Sequence, residues 1–432
     1  MFGPYAALLR VSGAFSFSSM GFLARMPISM TGLGAVLLIA GETGRYGIAG
    51  VIAGVLALSF AIISPQVARL VDRFGQARVL RPTVLLFGAA GVGFVVAVEL
   101  QAPIWTWFVL AALTGASGPN IGSMVRARWV NVLDDPTTRQ TAFAFESVVD
   151  EIVFVIGPPL VTFLATAISP PVGFLTAVII GLVGGMGFAT LTSSEPPVAR
   201  TTEGRGGGRR GVLIPALIAV TITYVAVGTV FGAMDVVVVA YADEQGQIGL
   251  SGLILAVYAA GSLIAGLGYG AVAWRRGLAG RFLLTTLAFG VAASGFLLVN
   301  SLLLLAGLAF LAGATIAPVL VSGMSLVESR LPRTALTEGL AWTTTGITVG
   351  VTLGASISGS VVDAIGAEES FIVQVVGAGS AAVLAALGYV WVRRTDRRSD
   401  RTADSPADRT ASNTADRTAG AVAPGPPGPG SE

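Results

Sequence analysis

Gly41–Val55 reads GETGRYGIAGVIAGV and Asp243–Val257 reads DEQGQIGLSGLILAV, and the two match at Glu42 and Glu244, Gly44 and Gly246, Gly47 and Gly249, and Gly50 and Gly252. The same shift, without a gap, pairs Arg73 with Arg275 and Gly75 with Gly277. Further along, Pro119 meets Pro318, and TAFAFESVVDEIVFVIG from Thr141 meets TALTEGLAWTTTGITVG from Thr334, ending on Gly157 and Gly350. Matches that keep chain order over this length indicate one duplicated unit. The fold then depends on what each copy is made of.

Each copy is made for lipid. Hydrophobic residues are 53% of the 432 and charged residues 12%, against about 25% charged in a soluble domain. Cysteine, histidine and lysine are absent, so all 26 basic residues are arginine. Disulfides, thiolate or imidazole metal sites and catalytic triads built on Cys or His are therefore excluded. Proton chemistry near neutral pH falls to carboxylates. The net charge of +2 reflects arginine at a membrane surface rather than a nucleic-acid partner. The segment GRGGGRRG lacks the Lys-Ser/Thr ending of a phosphate loop and a preceding strand, which argues against ATP-driven work. No enzyme, metal or bound cofactor is expected, only a proton gradient.

A bilayer core of about 30 Å takes roughly 20 helical residues. Twelve apolar runs fit, near 15–41, 47–67, 79–99, 102–125, 141–167, 171–192, 212–241, 247–272, 281–299, 301–327, 335–362 and 370–392. The N-terminal stretch has Arg10 before a mild apolar run but no convincing cleavage site, so it is read as a retained lead into the first span. With twelve spans, 24 of the 26 arginines fall on one side, Arg45 alone on the other, and Arg25 inside a span. The positive-inside rule then places both termini in the cytoplasm. The domain division follows: a six-helix bundle over 1–192, a cytoplasmic linker over 193–211, a second bundle over 212–393 and a disordered tail over 394–432. Two similar bundles facing each other across a cavity is the parallel-repeat layout of a secondary transporter.

The charged stretch Ala68–Leu80, ARLVDRFGQARVL, sits between the second and third spans. It resembles the loop of the major facilitator superfamily that runs roughly G-x-L-x-D-R-x-G-R-R-x-x-L. Asp72, Arg73, Gly75, Arg78 and Leu80 keep the pattern; Ala68, Gln76 and Ala77 depart from it. The second copy keeps Gly270, Arg275 and Gly277 but has Trp274 in place of the aspartate. The resemblance implies an all-α membrane fold of twelve helices in two pseudo-symmetric bundles. It also implies that Asp72, Arg73, Gly75 and Arg78 latch the cytoplasmic side when the protein opens outward, Gly75 allowing the tight turn. The alternative is that these arginines serve topology alone.

The fifth span carries Glu146, Asp150 and Glu151, with Glu146 and Asp150 on one face and Glu151 turned by about 100°. Asp150 falls roughly 15 Å deep, where a lone carboxylate costs about 2.5–3.5 kcal/mol. It should be paired, protonated or cavity-facing, and Glu146 alternatively complements the helix dipole. Asp235 in the seventh span is a further intramembrane acid, the alternative there being a cap at a helix break after Gly232. These four are the candidate proton-coupling residues. Arg25 is a gate candidate expected to pair with Glu146, or else to snorkel. Gly157, Pro158 and Pro159 should kink helix five; they partly resemble the superfamily's antiporter pattern, with Val153, Val161 and Thr162 in place of its glycines.

Phe154, Tyr224, Phe231, Tyr258 and Trp342 are candidate cavity-lining residues, and no dense polar set suited to a sugar appears. The function expected is proton-coupled efflux of a small lipophilic or amphipathic molecule by alternating access, by a monomer in a bacterial inner membrane. A nutrient importer or uniporter, and a transport-inactive scaffold or receptor, are the alternatives.

Overall fold

The computed structural model describes residues 8–197, 214–271, 274, 276–331 and 336–403. Among them there is no strand, as befits a chain whose backbone must satisfy itself in hydrocarbon. Twelve helices are long and apolar enough to cross a membrane: α1 Ala14–Thr43, α2 Tyr46–Phe74, α3 Gln76–Glu99, α4 Ile104–Val132, α5 Pro136–Ala167, α6 Pro170–Thr190, α7 Pro215–Glu244, α8 Ile248–Gly270, α9 Leu278–Leu298, α10 Leu302–Glu328, α11 Gly339–Ile365 and α12 Glu369–Thr395. The even number returns the chain to its starting side, here the terminal face; the other is the far face.

Local chemistry sets the ends. Asp135 caps α5, its Oδ2 accepting from Thr138 N at 2.8 Å and Thr138 Oγ1 at 2.6 Å, with Pro136 in the first turn. The Thr138 hydroxyl and amide hold the Asp135 carboxyl below its usual range. The turns after α1 and α7 are repeat copies of each other: Gly44 has φ 66 and Gly246 φ 67, which glycine adopts without strain. Gly75, at φ 90, ends α2 and starts α3. The stretch Ala68–Phe74, expected as a loop, is therefore the last two turns of α2. Both α4 and α10 are interrupted, between Ser117 and Ile121 and between Gly313 and Ile316; Pro119 lies in the first break, and its repeat equivalent Pro318 lies in the first turn of the helix that follows the second. The last helix continues to Ala403, past the expected start of the tail, because propagating a formed helix needs no new nucleus. The linker from 198 to 213 and the tail from 404 lie outside the described residues.

The two halves repeat the same neighbours. In the first, α1 packs on α5 and α6, α3 on α6, and α2 on α4; in the second, α7 packs on α11 and α12, α9 on α12, and α8 on α10. The halves meet along α2 with α11 and α5 with α8, pairs that the repeat relates to each other. Both joints rest on a glycine of the matched stretches. A Cβ on Gly50 would strike the Ala355 carbonyl of α11, and one on Gly252 the Pro158 carbonyl of α5. Both joints lie toward the far face, since α2 and α8 start there and α5 and α11 end there. The halves are thus closed at the far face.

Gly50→Leu is expected to open that closure. Overpacking of this kind costs about 1–3 kcal/mol, or a ~5–150-fold shift in population. The chain has no cysteine, so spin labels at Arg45→Cys and Ile365→Cys report the far-face distance directly; it should lengthen in Gly50→Leu, and an unchanged distribution would refute the joint.

Candidate functional site

Between the halves, beyond the joints, is a cavity of ≈ 270 Å³ lined from both bundles. Pro27 and Thr31 of α1, Phe60 of α2 and Pro119 of α4 face Asp235 of α7 and Thr348 of α11. The break in α4 thus opens onto this space. Its hydroxyls are already committed to their own helices: Thr31 Oγ1 donates to Pro27 O at 2.8 Å and Thr348 Oγ1 to Thr344 O at 3.2 Å. Asp235 is the one ionisable side chain among the described lining residues, and it has no hydrogen-bond or ion-pair partner among the described residues. Helix α7 runs unbroken past Gly232, so Asp235 caps no break.

The fifth-span acids are placed differently. Arg25 of α1 is buried and pairs with Glu146, also buried. Its NH1 bonds Asp150 Oδ1 at 2.7 Å, and Arg126 of α4 takes Asp150 Oδ2 at 2.7 Å. Glu146 Oε1 accepts from Trp129 Nε1 at 2.7 Å and from Ser18 Oγ at 3.2 Å, while Arg25 Nε donates to Gly21 O at 3.1 Å. Two guanidiniums and two carboxylates make a neutral set, as burial in low dielectric requires. Water reaches only its outer end, where the side chains of Asp150 and Arg126 are 37% and 34% exposed. The pairing of Arg25 with Glu146 is present, but α1, α4 and α5 belong to one bundle, so it ties that half together rather than bridging the seam. Glu151 is turned away, half-buried and without a partner among the described residues.

Polar contacts that do cross the seam cluster at the far face. Asp363 Oδ1 and Oδ2, at the end of α11, accept from Tyr46 N at 2.8 Å and Gly47 N at 2.9 Å. A carboxylate of one half thereby caps a helix N-terminus of the other. Tyr46 Oη donates to Asp243 Oδ2 at 2.9 Å, and Thr352 Oγ1 to Gly54 O at 3.1 Å. This seal was not anticipated; Asp363 lies near a span end, where an acid passes for an ordinary surface charge.

At the terminal face, Asp72 and Arg73 of α2 and Arg78 of α3 are exposed. Asp72 has no partner among the described residues, and Arg73 lies over the Phe74 ring at 5.1 Å. The departure at Gln76 has a structural use: Gln76 Oε1 accepts from Arg128 Nε at 2.9 Å. Buried Arg128 also donates to Leu191 O at 2.6 Å and Phe188 O at 3.1 Å and covers the Phe188 ring at 3.7 Å. It locks α4 to α3 and α6.

The cavity lining differs from the expected aromatic set. Tyr224 is fully buried inside its own bundle, its Oη donating to Leu320 O at 2.6 Å. Tyr258 is buried with its hydroxyl unpaired. Phe154 and Trp342 are exposed and Phe231 is half-buried, and none of the five is among the lining residues; Phe60 and Phe87 are. Helix periodicity gives a face but not what the face meets. In α5, Pro158 and Pro159 sit inside a continuous helix, and Gly157 lies against Ser29 of α1.

Residues 17–275 and 216–423 match the family model described as Major Facilitator Superfamily. No curated protein is significantly similar to the chain in sequence. Among solved structures, an auto inhibited POT family peptide transporter is 15% identical with a TM-score of 0.65, over 87% of this chain and 96% of that one. A bacterial homologue of the iron transporter ferroportin, in an inward-facing state, is 14% identical at 0.66, over 87% and 99%. The nucleoside transporter NupG is 14% identical at 0.65, over 87% and 98%. These likenesses are of fold.

Two outcomes are expected from the polar contacts. Arg25→Ala strands buried Glu146 and should cost about 3–5 kcal/mol, seen as a lowered melting temperature in detergent; the double variant Arg25→Met with Glu146→Met should melt higher than the single one. Asp363→Asn removes the anion from the α2 N-terminus, an interaction of about 0.3–1 kcal/mol, and should lengthen the label distance between positions 45 and 365.

Proposed function

Because the chain belongs to the Major Facilitator Superfamily, we propose that it is a proton-coupled exporter of a small lipophilic or amphipathic molecule. Its two halves rock about the cavity that Asp235 lines, by alternating access. The observation that carries this reading is the unpartnered carboxylate of Asp235 in an otherwise uncharged cavity at the seam. A lone carboxylate in low dielectric is costly, so it is stabilised either by a proton or by a polar group of the substrate. Mutually exclusive occupancy of one oxygen pair is what couples the two fluxes. Asp150 and Glu146 are poorer carriers because arginines already neutralise them; Glu151, without a partner, is the second candidate.

The apolar walls favour a lipophilic solute, and both halves of the cavity come from one chain, which supports a monomer as the working unit. The arginine distribution supports a terminal face in the cytoplasm of a bacterial cell. Asp72, exposed and without a partner among the described residues, supports a latch at the terminal face that engages only when the far face opens.

The test uses inverted vesicles made acidic inside. The wild type should accumulate lipophilic dyes when the gradient is imposed. Asp235→Asn should lose gradient-driven accumulation by at least roughly tenfold while still exchanging dye at equilibrium. Glu151→Gln should lose less. Equilibration of the wild type without regard to the gradient would replace this reading with a uniporter, and full accumulation by Asp235→Asn would move the coupling elsewhere.

A further inference from the structure

We infer that the solute handled at the seam cavity is a primary or secondary amine with a small apolar body, bound as its ammonium ion, an assignment that rests on Asp235 being the group that meets the solute. A ligand enclosed between the two bundles gives up its hydration for what the walls offer. Any wall group or ligand group left unpaired there costs affinity. The hydrogen-bonding character of the lining therefore selects the chemistry of the ligand.

Among the described residues the walls offer acceptors and no free donor. Thr31, Thr114 and Thr348 line the space, and each hydroxyl proton is spent on its own helix: Thr31 Oγ1 donates to Pro27 O at 2.8 Å, Thr114 Oγ1 to Leu110 O at 2.7 Å and Thr348 Oγ1 to Thr344 O at 3.2 Å. A hydroxyl oxygen that has donated still has lone pairs to accept with. The break in α4 is where unspent amides would be expected, yet Gly118 N donates to Gly115 O at 3.1 Å and Pro119 has no N–H. Asp235, when ionised, adds acceptors alone. The other described lining residues have apolar side chains or none, and no arginine is among them. The cavity thus presents oxygen lone pairs and one negative charge, with neither a donor nor a cation to answer them.

The ligand is the complement of such a wall. A primary or secondary ammonium brings a positive charge together with N–H donors. A carboxylate or phosphate would set like charges side by side, and a ketone or ester would bring acceptors to acceptors. A neutral alcohol has a donor but leaves the carboxylate without a counter-charge. A quaternary ammonium has the charge but no donor, and it is held best by a cage of aromatic faces. Phe60 and Phe87 are the aromatic residues among the described lining residues, and Phe87 is buried in the first bundle. The apolar remainder of the walls and a volume of ≈ 270 Å³ suit a small hydrocarbon body, such as one aromatic ring on a short chain.

Isothermal titration calorimetry of the full chain in detergent near neutral pH, with phenethylamine, phenethyltrimethylammonium and phenethyl alcohol, tests the assignment. The wild type should bind the amine at least roughly tenfold more tightly than either analogue. Asp235→Asn should lose the amine's margin over the alcohol. A quaternary analogue bound as tightly as the amine would mean that charge alone is read, and an alcohol bound as tightly would mean that charge is not read at all. Either result overturns the proposal, as does a wild type that binds no amine at millimolar concentration; none of these needs a variant. An Asp235→Asn chain that keeps the full margin also overturns it. No gradient is present in this measurement, so its outcome is separate from that of the vesicle assay: proton-driven accumulation can fail while the amine preference stands, and the preference can fail while accumulation stands.

Discussion

Two helices can touch backbone to backbone only where no side chain stands between them, and each joint of the closed face of this molecule is built on such a contact. Helices in lipid gain no hydrophobic driving force by meeting, since acyl chains are as apolar as leucine; what holds them is close packing and hydrogen bonding. Gly50 against Ala355 and Gly252 against Pro158 supply the packing. The two joints are related by the internal repeat yet are not alike. The α2–α11 joint carries Asp363 on the amides of Tyr46 and Gly47, while the position of α6 that the repeat aligns with Asp363 is Pro170, which has no charge to offer. One joint is therefore polar and the other nearly dry.

A rocking mechanism needs each half stiff and the seam loose, and the polar groups are distributed accordingly. Arg25, Glu146, Asp150 and Arg126 bind α1, α4 and α5 into one body. Arg128 adds α3 and α6 to it. In the second half Tyr224 ties α7 to α10. Across the seam the described hydrogen bonds are few and confined to the far face. Burying two ion pairs inside one bundle is expensive, but their geometry does not have to change when the halves move against each other. Asp235 stands apart from these, a carboxylate in the seam cavity with no partner among the described residues.

Much of this was legible in the sequence. Twelve apolar runs became twelve helices because length and hydropathy are direct requirements of the bilayer, and the repeat predicted equivalent turns that the structure shows at Gly44 and Gly246. Glu146 and Asp150 share a face, and one arginine does reach both. What was not legible depends on partners. Asp150 reads as a lone carboxylate until Arg126, from another helix, is brought beside it. Tyr224 and Tyr258 read as cavity walls because periodicity cannot tell a seam-facing stripe from one turned into its own bundle. Gln76 reads as a weakened motif until Arg128 is seen to need an acceptor there. Asp363 gave no signal, since its value lies in the helix end it meets 317 positions away.

Helix α2 joins these observations into one device. It spans 29 residues, about 44 Å at the helical rise, with the seal at its first two residues and Asp72 two residues before its end. Its middle, through Leu56 and Phe60, walls the cavity. With the far end clamped by Asp363, the terminal end stands exposed and Asp72 has no partner among the described residues. On the rocking proposed above, tilting such a rod about its middle would move its ends in opposite directions, and a partner engaging Asp72 would withdraw Tyr46 from Asp363. The sharp stop at Gly75 matters for the same reason: a frayed helix end would absorb the tilt, whereas a turn fixed at φ 90 passes it to α3 and to the Gln76 that Arg128 holds.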